Sequence, residues 1–73
     1  MARETVEVPI TGKIISVAVK VGDDVKEGDV ICMLESMKME NPILSAVSGK
    51  VVEVFVTAEQ VVKPGEKIAV IEY

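Results

Sequence analysis

Histidine and tryptophan are absent from these 73 residues, and cysteine occurs once, as Cys32. Without an imidazole the chain lacks the commonest general base and metal ligand, and every Ser/His or Cys/His nucleophile falls away. No metal site and no catalytic residue are therefore expected. A single cysteine excludes an internal disulfide. Within Val30-Ile31-Cys32-Met33-Leu34 it reads as a small buried hydrophobe of a reducing compartment, cytoplasmic by expectation. No apolar run approaches the ~20 residues that a membrane helix needs, so no direct membrane insertion is expected. No signal peptide is read in Met1-Ala2-Arg3-Glu4-Thr5. The net charge of −4, with no basic cluster, argues against a nucleic-acid partner. The five glycines form no phosphate-binding pattern. Asp23-Asp24 and Glu27/Asp29 fall in Gly-containing turns, where solvated carboxylates are ordinary. These exclusions describe something that enzymes act on.

What is present is β structure. The apolar mass is mostly valine and isoleucine, whose branched side chains suit pleated sheets, and no segment sustains a helical period. The chain is also written twice. Gly12–Glu35 aligns with Gly49–Glu72 at an offset of 37, with nine of 24 positions identical. Each unit reads as strand, turn, short strand, Gly turn, strand. A unit this short cannot bury its own apolar face, so two must pack together. The expected fold is all-β: a flattened sandwich of two four-stranded antiparallel sheets with internal pseudo-twofold symmetry, forming one domain over residues 1–73. The units fall at about 9–35 and 46–72, with a hairpin at 35–40. Period-two alternation places Ile15/Val17/Val19 and Val52/Val54/Val56 in the shared core, and Ser16 and Glu53 outside. Gly22-Asp23 of the first unit is replaced by Glu59-Gln60 in the second, so a positive φ there would strain a non-glycine residue. Pro42 cannot donate to a ladder, so the strand that leaves the hairpin is an edge or begins after it.

The joint between the units is the run Leu34-Glu35-Ser36-Met37-Lys38-Met39-Glu40-Asn41-Pro42. Hairpin tips normally carry Gly, Asn, Asp or Pro. Two methionines at a solvent-facing tip gain no burial, a breach of local rules of the kind that marks function. The run resembles the attachment site of biotin carboxyl carrier domains, whose signature is Glu-Ala-Met-Lys-Met. Glu35, Met37, Lys38 and Met39 fit that signature, and Ser36 stands in place of its alanine. The resemblance spans about Val8 to Glu72.

By that resemblance Lys38 is the residue that receives covalent biotin, attached by a biotin protein ligase. The carrier then serves a biotin carboxylase and a carboxyltransferase or decarboxylase. Met37 and Met39 are the apolar groups those partners read, while Glu35 and Glu40 set register. The family fold is a barrel-sandwich hybrid with the modified lysine on an exposed hairpin, opposite the chain ends. Lys20 to Gly28 leaves no room for the inserted thumb of some family members. Two other readings share the fold: a lipoyl domain of a 2-oxo acid dehydrogenase complex, whose lysine is flanked by Asp and Ala, and an unmodified scaffold module. The Met-Lys-Met tip speaks against both.

Overall fold

A computed structural model describes all residues, Met1–Tyr73. It holds eight strands and no helix: β1 (Arg3–Glu7), β2 (Gly12–Val17), β3 (Asp24–Val25), β4 (Val30–Ser36), β5 (Met39–Leu44), β6 (Gly49–Val54), β7 (Val61–Val62) and β8 (Lys67–Glu72). No helix is long and apolar enough to cross a membrane. The strands form two four-stranded antiparallel sheets, ordered β1-β8-β6-β3 and β5-β4-β2-β7. Each repeat unit lends its short strand to the other's sheet, since β3 pairs with β6 and β7 with β2. Neither unit can complete a sheet alone, which explains why the repeat comes in a pair.

The symmetry extends beyond the aligned segment. Offset by 37, β1 falls on β5, and the pair Arg3/Glu72 falls on Glu40/Glu35. Ala2 and Tyr73 exchange both backbone hydrogen bonds, at 2.7 and 2.8 Å, where the other sheet has its β4–β5 tip. The chain path separates these two sites. Strand β2 passes Lys13, beside Glu35 under the tip, and ends at Val17, beside Cys32. It continues to a turn where Gly22 N–H donates to the Val51 carbonyl, and Asp24 pairs with Lys50, itself opposite Glu72. The tip and the paired chain ends thus lie at opposite ends of a body 36 × 18 × 17 Å.

The core corrects one expectation. Ile14 and Val51, not Ile15 and Val52, are fully buried at its centre, beside Ile31, Leu34, Ile68 and Ile71. The cause is a pair of related β-bulges. Register slips between Ile14 and Ser16 in β2, and between Val51 and Glu53 in β6. An extra residue shifts the alternation by one, so the inward phase passes from Ile14 to Val17 and from Val51 to Val54. Past the bulge the expectation holds: Val56 is buried, and Val17, Val19 and Val54 pack partly buried against the core. Ser16 and Glu53 face outward.

Pro42 lies in β5, an edge strand, as its missing donor requires. Glu59 adopts φ 72°, matching Gly22 at φ 100° in the other unit, so a glutamate occupies a backbone conformation that favours glycine. Cys32 is fully buried, and burial pushes its thiol up to about 11.

Candidate functional site

Strands β4 and β5 end in a two-residue turn. Ser36 pairs with Met39, leaving Met37 and Lys38 at the tip with φ of 54° and 66°. Positive φ at both central residues is the geometry of a type I′ turn, which follows the right-handed twist of its strands and prefers Asn-Gly. Met-Lys adopts it at a steric cost that local preference would avoid. The backbone bends sharply here, and the lysine stands at the apex. Met37 is 91% exposed and Met39 66%, so neither packs into the core. Lys38 is exposed and makes no ion pair.

Three contacts brace the base of this turn. The Ser36 hydroxyl donates to the Thr11 carbonyl at 2.8 Å, tying the hairpin to the segment before β2. The Asn41 amide donates to the Met39 carbonyl at 3.2 Å. Gly12 lies so close to β4 that a Cβ there would collide with the Glu35 carbonyl oxygen. Gly49 meets the Glu72 carbonyl in the same way at the related site, which accounts for glycine opening both repeat units. Sequence reasoning gave Ser36 and Gly12 no part in the site. The signals were the single departure from the signature and the glycine shared by both units.

Below the turn sits an unusual pair. Glu35 and Glu40 lie directly opposite one another on β4 and β5, an arrangement that destabilises a ladder by like-charge repulsion. The twofold-related pair is Arg3 and Glu72, whose side chains form an ion pair at 3.4 Å. Across β4 from Glu40, Lys13 lies beside Glu35, but its ammonium is 3.8 Å from Glu59. The sequence marks Glu59 only as a turn residue under strain. It joins Glu35, Glu40, Lys13 and Ile15 around an open cavity of about 320 Å³ beside the tip. All five residues expected at the site, Glu35, Met37, Lys38, Met39 and Glu40, share this one hairpin. No cluster of metal-ligating side chains is present.

Residues 4–71 match the family described as biotin-requiring enzyme. The chain is 44% identical over 68 residues to a biotinylated protein TB7.3 homolog of Mycobacterium leprae, covering 93% of this chain and 96% of that one. It is 39% identical over 70 residues to a biotin carboxyl carrier protein of Streptococcus mutans, of which it spans about half, 54%. Among solved structures, urea carboxylase of Kluyveromyces lactis contains a region that superimposes with a TM-score of 0.90 at 30% identity. That region covers 99% of this chain but 6% of the carboxylase.

Proposed function

The chain belongs to the family of biotin-requiring enzymes, and on that premise we propose that Lys38 is the residue through which it carries biotin. The observation behind this reading is an exposed lysine at the apex of a sharp, braced turn, between two methionines that the core does not use. The chain fits the group it would hold. Its amine makes no ion pair and belongs to an exposed residue. An ordinary lysine ammonium must lose a proton before it can attack, so an outside ligase has to accept that proton and present an activated carboxyl group. Lys38 Nζ would then hold the group through an amide: its N–C bond to the biotin carboxyl carbon would form as the C–O bond to the activating group breaks, and that group would leave with the ligase. The product is an amide, and the charge at Lys38 is gone.

When bound, biotin supplies a ureido nitrogen that accepts and gives up a carboxyl group. The chain's own contribution is mechanical. Its turn holds the attachment point away from the body, and the Ser36 and Asn41 hydrogen bonds brace the turn's base. Tethering raises the local concentration of the carried group at a docked enzyme to the order of mM without a tight interface. The partners in this reading are a biotin protein ligase, a biotin carboxylase, and a carboxyltransferase or decarboxylase. A relative with decarboxylase in its name supports the last of these: glutaconyl-CoA decarboxylase subunit gamma of Acidaminococcus fermentans, 58% identical over 40 residues that cover 55% of this chain and 28% of that one. The single buried thiol suits a reducing, cytoplasmic setting.

Intact-mass measurement after incubation with a biotin ligase, biotin and ATP tests the assignment. One biotinyl group adds to the wild type and none to Lys38→Arg, with the fold unchanged. An adduct that persists in the variant on Lys13, Lys50 or another lysine overturns it.

A further inference from the structure

The cavity beside the tip, about 320 Å³ and lined by Lys13, Ile15, Glu35, Glu40 and Glu59, falls at the lower end of small-molecule sites. Its lining is mixed. Glu35 and Glu40 offer acceptors from facing positions on β4 and β5, and the Lys13 ammonium offers donors 3.8 Å from Glu59. Half-buried Ile15 offers an apolar wall at the β2 bulge. The internal twofold supplies a control. An offset of 37 takes these residues to Lys50, Val52, Glu72, Arg3 and Gly22 around the other sheet. No cavity forms there, since the second cavity of the molecule is lined by Val17, Ala18, Val19, Lys20 and Asp23. Two exchanges set the places apart. Arg3, which closes on Glu72 at 3.4 Å, becomes Glu40, and Gly22 becomes Glu59. Glu59 is held at φ 72°, where the other unit keeps glycine, and backbone strain of this kind collects at ligand clamps.

We propose that this cavity is a resting site for the ring of the biotin carried on Lys38, occupied between visits to partner enzymes. The inference rests on the reading of Lys38 as the acylated residue, and it concerns the modified chain by itself, with no partner docked. The ring matches the lining group by group. Its ureido N–H groups donate to the Glu35 and Glu40 carboxylates, which otherwise repel across the ladder. Its ureido carbonyl accepts from the Lys13 ammonium, and its sulfur-containing ring is apolar and meets Ile15. The ring is uncharged, so it enters without burying a charge. Reach is sufficient as well. The Glu35/Glu40 row lies two residues from Lys38, about 7 Å at ~3.4 Å per residue, less than a lysine side chain and a valeryl chain extended in series. Tethering then supplies an effective concentration on the order of mM, which fills a site too open to retain free biotin. Because the lining is exposed, the docking is partial and reversible, and the ring stays available to partners.

Heteronuclear NMR of the isotope-labelled chain, before and after complete biotinylation, tests this with no carboxylase present. Amide shifts are expected to change at Lys13, Ile15, Glu35, Glu40 and Glu59 as well as at the turn. The related Lys50, Val52, Glu72, Arg3 and Gly22 should not move, and nuclear Overhauser contacts should join ring protons to the Ile15 methyls. Free biotin, equimolar with the unmodified chain, should leave all of them in place. A second measurement reads the ring's accessibility. Lys13→Met with Glu59→Gly removes the donor and installs the glycine of the other unit at this φ, with net charge unchanged. Streptavidin should capture the biotinylated double variant about threefold faster than the wild type, because a ring docked roughly two-thirds of the time is open for the remaining third. Shift changes confined to Met37–Met39 overturn the proposal, as do equal changes at the related residues or an unaltered capture rate. Changes that grow with protein concentration assign the cavity to the ring of a second molecule and also overturn it. Absence of any biotin adduct defeats the Lys38 reading as well. A complete adduct with changes only at the turn defeats this inference alone.

Discussion

Replacing Glu40 with Arg should stabilise the protein while harming its use by the ligase. The substitution reproduces, at the related position, the Arg3–Glu72 pair that the structure already forms at 3.4 Å. It converts a repulsive cross-strand pair into an attractive one. Each such pair contributes roughly 0.2–1 kcal/mol in its favourable sense, and like charges cost a similar amount, so the change of sign amounts to about 0.5–1.5 kcal/mol. Lys13, on the far side of Glu35, already relieves part of the repulsion, and both glutamates are exposed to solvent screening. The lower half of that range is therefore expected. For a domain of this size 1 kcal/mol moves Tm by ~4–8 °C, giving a rise of about 2–8 °C by circular dichroism at low ionic strength. The gain should shrink in ~1 M salt, where the Debye length is about 3 Å. Ligase kcat/KM should fall in the same variant. No rise in Tm at low salt, or a rise that salt does not reduce, refutes the claim that Glu35 and Glu40 repel across the ladder.

Two further outcomes follow from the geometry. Met37→Asn places at φ 54° a residue that tolerates the left-handed region. It should raise stability by about 0.5–1 kcal/mol in urea denaturation while lowering ligase acceptance, and a loss of more than ~1 kcal/mol would show that Met37 packs into the core. Cys32 should resist a thiol reagent in the native protein at pH 8 and react fully in urea, and rapid native labelling would contradict its burial. Its folded value of about 11 lies above the ordinary 9.0. The stability gained by keeping the thiol neutral is therefore whole below pH 9 and is lost as pH rises through 11, at most about 1.4 kcal/mol per unit.

Much of this architecture is legible in the sequence because the repeat and the alternation both report on backbone geometry. Strand order within each unit, the edge position of Pro42 and the strained turn at Glu59 follow from residue types with narrow conformational ranges. The core phase departs from simple alternation at Ile15 and Val52 for a definite reason. Runs such as Lys-Ile-Ile-Ser and Lys-Val-Val-Glu offer two adjacent apolar residues, and alternation alone cannot say which faces inward when a bulge inserts an extra one. The exchange of β3 and β7 between sheets is invisible for a related reason: each is a two-residue strand, too short to carry a periodic signal.

The site divides along the same line. Met37, Lys38 and Met39 stand out because they break turn preferences at a place the repeat locates. Ser36 and Gly12 brace the turn through a hydroxyl–carbonyl contact and a close backbone approach, and such contacts depend on distances across the fold. The like-charge pair was half visible, since Glu35 and Glu40 flank the lysine symmetrically, yet only register shows that they face one another. The decisive aid was the internal twofold, which sets an ordinary solution beside each unusual one. Arg3–Glu72 shows what the Glu40–Glu35 ladder position accepts when stability governs the choice. The same backbone carries both pairs, so the departure on the tip-bearing face is not demanded by the fold.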